Sequence, residues 1–197
     1  MNNDYLESAK KTFEYYKLLG EKAMAQVPEE KLSWQYSPEC NSIAMIVQHL
    51  WGNMLSRWTD LLTSDGEKEW RDRDAEFEGG SASRKEVLQK WDEGWACLYH
   101  ALDALTPENL GKTIYIRNMG QTVIDAINRQ LAHYPHHVGQ IIFLAKMICD
   151  EKWVSLSIPR DASNTYNAER FAKPKRIEHF VDDYKKGTTP PSNSSSD

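Results

Sequence analysis

Apolar residues recur at gaps of three and four in four separate stretches of the chain, and each stretch reads as one face of an amphipathic helix. The first, Asp4 to Val27, carries Tyr5, Ala9, Phe13, Tyr16, Leu19, Ala23 and Val27. Pro28 ends it, because a residue before proline is pushed away from helical angles. The second starts near Asn41 or Ser42, either a good N-cap. It continues through Ile43, Ile46, Val47, Leu50, Met54, Trp58 and Leu61 to a stop at Ser64-Asp65-Gly66. The third opens on Ser83 with Glu86 three places on, a capping box in which each side chain satisfies the other's free backbone N–H. Its stripe is Val87, Trp91, Trp95, Leu98, Leu102 and Leu105, with Pro107 just beyond. The fourth begins at Thr122 with the weaker box partner Asp125, and Ile124, Ile127, Leu131, Val138, Ile141, Ile142, Ala145 and Ile148 give it the clearest stripe of all.

The connections differ in character. Between the second and third stretches lies EKEWRDRDAEFEGGSAS, too charged for a core helix and closed by Gly79-Gly80, which predicts a long crossing over the surface. It lacks the alternating Asp/Asn ligands and closing Glu of a calcium loop. Between the third and fourth, KTIYIRNMGQT alternates around Ile114 and Ile116, with Asn118-Met119-Gly120 as the turn of a small hairpin or extended loop. The helical period disappears beyond Asp150, leaving an irregular tail that ends in GTTPPSNSSSD, a low-complexity piece expected to be disordered over its last ten or so residues. Four helices, each with a single apolar stripe, predict an all-α antiparallel four-helix bundle over residues 1–160, with 161–197 as the tail.

Charge narrows the function classes. With 24 Lys+Arg against 29 Asp+Glu the 197-residue chain carries a formal charge of −5, which argues against nucleic acid as a partner, since phosphate neutralisation needs clustered basic residues. No apolar run approaches the roughly 20 residues that span a bilayer. MNNDYLESAKK has no apolar core of a signal peptide, and Cys40, Cys97 and Cys149, odd in number and far apart, make no disulfide framework. A cytoplasmic protein without a membrane partner is the expectation.

The chemistry worth following is histidine. His133 and His137 stand four apart, so both rings project from one side of the last helix, the spacing with which a helix offers two imidazoles to one metal. Both border the apolar stripe, whereas His136 points away from it. Tyr134 occupies the position where a zinc protease carries its glutamate base, and Pro135 between the two removes the hydrogen bond to the Leu131 carbonyl and predicts a kink. A third imidazole is available from His49 on the second helix, followed at steps of four by Asn53 and Arg57 in a polar line. The plainer alternative is that these histidines are hydrogen-bonded core or interface residues, and that Asn53 and Arg57 are a buried polar contact between helices. His100 and His179 lack comparable context, and Cys149 reads as a small apolar filler.

The order of parts resembles the DinB-like superfamily, which includes YfiT-like metal-dependent proteins and bacillithiol S-transferases. The resemblance rests on IVQHLWGNMLSRW and HYPHHVGQIIFLAK, and more narrowly TDLLTSDGEKEWRDRDAEFE and SLSIPR are similar to one branch whose function is unknown. It covers roughly residues 4 to 160. The resemblance implies a dimeric four-helix bundle holding a divalent metal, Zn or Ni above others, on three histidines that fall here on His49, His133 and His137. It further implies a thiol S-transferase or small-molecule hydrolase acting on a small substrate with a low-molecular-weight thiol or water, with Asn53 or Arg57 orienting substrate or a ligand. The competing implication is a homodimer that binds metal or ligand without catalysis, in a stress-related role.

Overall fold

The computed structural model describes residues 2–186, and the expected disorder of the last ten residues lies outside them. The protein is mostly helical. Four long helices, α1 (Asn2–Gln26), α2 (Ile43–Trp58), α3 (Arg84–Asp103) and α4 (Val123–Cys149), pack around one core, α1 chiefly against α4 and α2 against α3. A two-stranded antiparallel hairpin, β1 (Thr113–Ile116) and β2 (Met119–Thr122), leads directly into α4. Two short helices, α5 (Ser163–Phe171) and α6 (Phe180–Lys185), follow. Among the described residues no helix is long and apolar enough to cross a membrane.

The helix starts are written in side-chain oxygens. Ser42, rather than Asn41, caps α2 by accepting from the Met45 N–H at 3.2 Å. Ser83/Glu86 and Thr122/Asp125 form complete capping boxes at α3 and α4, the cap N–H lying 2.8 Å from Glu86 Oε2 in the first and 3.3 Å from Asp125 Oδ2 in the second. The core joins the stripes. Phe13, Trp91, Trp95, Leu98, Leu102, Ile127, Val138 and Ile141 are buried, and Tyr134 lies among Phe13 and Trp95 with ring centroids 5.9 Å from each. Helix α4 runs from Val123 through Pro135 to Cys149 as one element; its buried line is Val123, Ala126, Ile127, Gln130, Tyr134, Val138, Ile141, Ala145 and Cys149, while Ile124 is exposed and Leu131, Ile142 and Ile148 only flank the core.

Three expectations are corrected. Helix α2 stops at Trp58, short of Leu61, because Thr59 turns extended and Asp60 adopts a left-handed φ of 52°. The hairpin turn is Arg117-Asn118, one residue earlier than Asn118-Met119-Gly120: Ile116 pairs with Met119, and the two residues between have φ of 54° and 60°, the signature of a type I′ turn. Their N–H groups donate to the Asp65 carboxylate at 2.9 Å each, which ties the turn to the loop after α2. The tail is not irregular throughout. Val181 of α6 is fully buried, Tyr15 of α1 meets Phe180 and Tyr184 edge-on at 5.2 and 4.9 Å, and Lys11 pairs with Asp182 at 2.8 Å. A hexapeptide helix is too short to hold itself up, so this docking is what stabilises it.

Candidate metal centre

His49 projects from the middle of α2, and His133 and His137 project from one flank of α4, beside the buried line that carries Gln130, Tyr134 and Val138. The packing of α2 on α4 brings the three rings together. His49 Nε2 lies 3.4 Å from His133 Nε2, His133 Nε2 lies 3.1 Å from His137 Nε2, and one nitrogen from each ring falls within 4.8 Å of the others. The three are positioned to hold a metal ion. His49 is buried, and the other two are half-buried.

What the opposite ring nitrogens do decides the chemistry. His49 Nδ1 donates to Glu76 Oε2 at 2.8 Å, His133 Nδ1 to Gln130 Oε1 at 3.0 Å, and His137 Nδ1 to Gln140 Oε1 at 2.7 Å. Gln140 orients its amide by directing its nitrogen to His136 Nε2 at 3.2 Å, which leaves the oxygen for His137. A neutral imidazole that donates through Nδ1 presents a bare lone pair at Nε2. With that tautomer at each ring, three lone pairs face one small space. A tetrahedral zinc with nitrogen bonds of about 2.0–2.1 Å spaces its ligand nitrogens roughly 3.3–3.4 Å apart; here one separation is 3.4 Å, the second is shorter at 3.1 Å, and all three nitrogens lie within 4.8 Å of one another. Three imidazole nitrogens are a donor set that can hold a divalent metal ion.

The electrostatics agree. Burial, then the neighbouring rings of His137 and His49, push His133 down to about 3, and burial pushes His137 down to about 4 despite its bond to Gln140. Both are neutral, ligand-ready imidazoles near neutral pH. Burial works against ionising Glu76, but hydrogen bonds from His49 and Arg71 outweigh it and hold the carboxyl below its ordinary range.

Glu76 is the residue that sequence reasoning missed. It sits in the charged crossing between α2 and α3, expected to be a solvated surface loop, yet it is only 3% exposed. Arg71 grips it in a two-point contact, Nε to Oε1 at 2.7 Å and Nη2 to Oε2 at 3.0 Å. The next residue, Phe77, lays its ring on His49 at 4.9 Å between centroids. The loop is thus a cover over His49 that delivers a carboxylate to it. Nothing in the sequence pattern links positions 49 and 76. Gln130 and Gln140 had a signal: each stands three residues from its histidine, one turn along the same face of α4.

Asn53 and Arg57 are buried, with partners away from the ring nitrogens. Asn53 Oδ1 accepts from the Tyr134 hydroxyl at 3.1 Å, and the same hydroxyl accepts from Trp58 Nε1 at 2.9 Å. Arg57 donates to the Gly66 carbonyl and to Glu67 Oε2, the latter at 3.1 Å, fastening the start of the crossing loop. His136 is exposed, as expected. Beside the histidines, an open groove of about 640 Å³ is lined by Tyr36, Asn41, Ile46, Gln140, Phe143 and Met147 among others. It shares Gln140 with the histidine cluster.

Among known families, the one described as "Protein of unknown function (DUF1572)" matches residues 1–162. No curated protein matches the chain.

Proposed function

The chain belongs to the DUF1572 family of unknown function, and we propose that it is a divalent-metal protein of the DinB/YfiT type, built on an antiparallel four-helix bundle over residues 1–160. In this reading His49, His133 and His137 are the metal ligands and the remaining coordination positions are open. The activity is that of a thiol S-transferase or small-molecule hydrolase, in the cytoplasm, acting on a small substrate with a low-molecular-weight thiol or water. A bound Zn²⁺ or Ni²⁺ would lower the pKa of such a thiol or water and supply a nucleophile near neutral pH. The observation that carries the reading is the set of three Nε2 lone pairs converging on one point, each kept bare by an acceptor at Nδ1.

The chain's own residues have separable tasks. Gln130, Gln140 and Glu76 hold the rings in the ligating tautomer. Phe77 shields His49 from water on one side. Asn53 and Arg57 support the ligand-bearing face of α2, Asn53 through Tyr134 and Arg57 through the loop. Homodimerisation belongs to the same reading, supported by the exposed apolar residues Tyr36, Phe143 and Met147 along the groove.

Metal analysis of the purified protein tests the site: about one equivalent of Zn or Ni is expected, and a His133→Ala, His137→Ala double variant that retains full metal content ends the reading. Turnover on a thiol–electrophile panel, abolished by chelation while the fold persists, identifies the enzyme. A second reading, a metal- or ligand-binding dimer without catalysis and with a stress-related role, draws support from Glu76. The carboxylate nearest the cluster already accepts from both Arg71 and His49, so it is not free to take a substrate proton. A large fall in melting temperature on chelation, with no turnover on the panel, favours that reading. Light scattering that gives a monomer at micromolar concentration removes the dimer from either.

A further inference from the structure

We propose that Glu76, delivered by the loop between α2 and α3 and locked by Arg71, is the positioning residue that makes His49 a metal ligand; this rests on the three-histidine reading above. Three observations converge on it. The first is asymmetry among the rings: His133 and His137 each receive their acceptor from α4 itself, three residues away, whereas His49 has no partner on α2 and takes its acceptor from a segment 27 residues on. Left alone, a buried imidazole at position 49 is free to carry its proton on Nε2, where it would point into the cluster and block it. The carboxylate removes that choice, because an anionic oxygen accepts only and so holds the proton on Nδ1.

The second is the way the carboxylate is fixed. Both oxygens are used, Oε1 by Arg71 Nε and Oε2 by Arg71 Nη2 and His49 Nδ1, and the Arg71 side chain is only 2% exposed. A neutral amide has one oxygen to offer, so it would leave one of the two Arg71 contacts facing an NH₂ donor and would bring no charge to pair with the guanidinium. The third is Gly52 on α2, one turn from His49. A Cβ there would collide with Glu76 Oε1 and stand 3.0 Å from its carboxyl carbon, so the helix is trimmed to glycine where the carboxylate rests on it. Metal-ligating histidines generally pass their second ring proton to such a group, and losing it typically costs 10–100-fold in metal affinity.

The test is Zn²⁺ and Co²⁺ affinity, measured on the full chain by competition with a chromogenic chelator, together with the Co²⁺ visible spectrum as a reading of ligand geometry. Glu76→Ala and Glu76→Gln are expected to weaken binding by about 10–100-fold and to change the Co²⁺ bands, with Glu76→Asp recovering part of the affinity. Gly52→Ala displaces the carboxylate without removing it, and keeps the proposal testable if the Glu76 variants fold poorly. It is expected to weaken binding by a similar factor although alanine favours the helix. In a His49→Ala background, Glu76→Ala should have no further effect on residual affinity. Glu76→Ala and Gly52→Ala both binding within twofold of wild type, with unchanged Co²⁺ spectra, overturns the assignment while leaving the metal site standing. A wild-type protein that binds neither ion overturns both.

Discussion

Replacing Tyr134 by Phe isolates the polar joint between α2 and α4 from the packing around it. The ring stays, so its contacts with Phe13 and Trp95 persist, and only the hydroxyl is lost. That oxygen accepts from Trp58 Nε1 at 2.9 Å and donates to Asn53 Oδ1 at 3.1 Å, and all three residues are buried. Tyr134→Phe therefore orphans one donor and one acceptor where water cannot replace the partner. An unpaired buried polar group costs about 1–3 kcal/mol, and with some relaxation two give roughly 2–4 kcal/mol. In a chain of this size each kcal/mol moves the midpoint by about 2–4 °C, so a fall of roughly 5–15 °C is expected. Urea unfolding of metal-free protein, with the slope compared between variants, measures it. Trp58→Phe supplies the second arm: with Tyr134 already Phe, removing the indole donor should cost less than it does in wild type. A Tyr134→Phe variant within 0.5 kcal/mol of wild type at unchanged slope, where at least ~2 kcal/mol is expected, would refute the joint.

Three further outcomes follow from other parts of the molecule. A Cβ at Gly20 would lie 2.5 Å from two ring atoms of the buried Trp91, so Gly20→Ala should destabilise by about 1–3 kcal/mol despite alanine's helix propensity, and a rise in thermal midpoint would contradict it. Arg117 holds a left-handed φ of 54° in a turn that prefers Asn or Gly, so Arg117→Asn should stabilise by up to about 1 kcal/mol, less whatever its exposed ion pair with Glu67 contributes; chemical denaturation decides the sign. In metal-free protein His133 and His137 have folded pKa values of about 3 and about 4 against an ordinary 6.5. The unfolded chain then binds the extra protons below pH 6.5, and stability should fall as pH drops from there toward 4. Both rings are part-exposed, so solvent screening leaves a loss of order 1–2 kcal/mol in total. The same slope in a His133→Ala, His137→Ala variant would sever it from these rings.

Helix periodicity carried the helical part of the fold well. The four stripes, the Ser83 and Thr122 caps and the flanking placement of His133 and His137 are all local properties of one helix, and local spacing is what a sequence displays directly. The failures share a physical cause too. Where α2 ends depends on Asp60 entering a left-handed conformation, and the hairpin turn depends on the Asp65 carboxylate bonding the Arg117 and Asn118 N–H groups; both are fixed by contacts that periodicity does not contain. The loss of a long period predicts an irregular tail, because a six-residue helix docked on α1 is too short to display one. At the site, spacing supplies the His pair and offers His49 as a third imidazole, the resemblance joins His49 to the pair, and Glu76 is hidden because a charged loop normally belongs to solvent.

That exception is informative, because burying Glu76 against Arg71 is an expensive way to hold a loop. Charges withdrawn from water lose hydration that their mutual attraction only partly returns, and well-packed apolar residues often do as well or better. Leu61 shows that the same connection can anchor itself with an apolar side chain where anchoring is all that is required. An ionic pair at position 76 therefore calls for a function that an apolar residue cannot perform, and the neighbouring ring supplies one. His49 needs an acceptor at Nδ1 if its Nε2 is to stay bare. The acceptor must also be clamped, or the ring and its proton could rearrange. Arg71 clamps it from one side and the missing side chain of Gly52 admits it on the other. The least regular segment of the fold and the most regular one, α4, thus serve the same three nitrogens from opposite directions, and the charge buried in the loop falls where a cation among those nitrogens would reduce its cost.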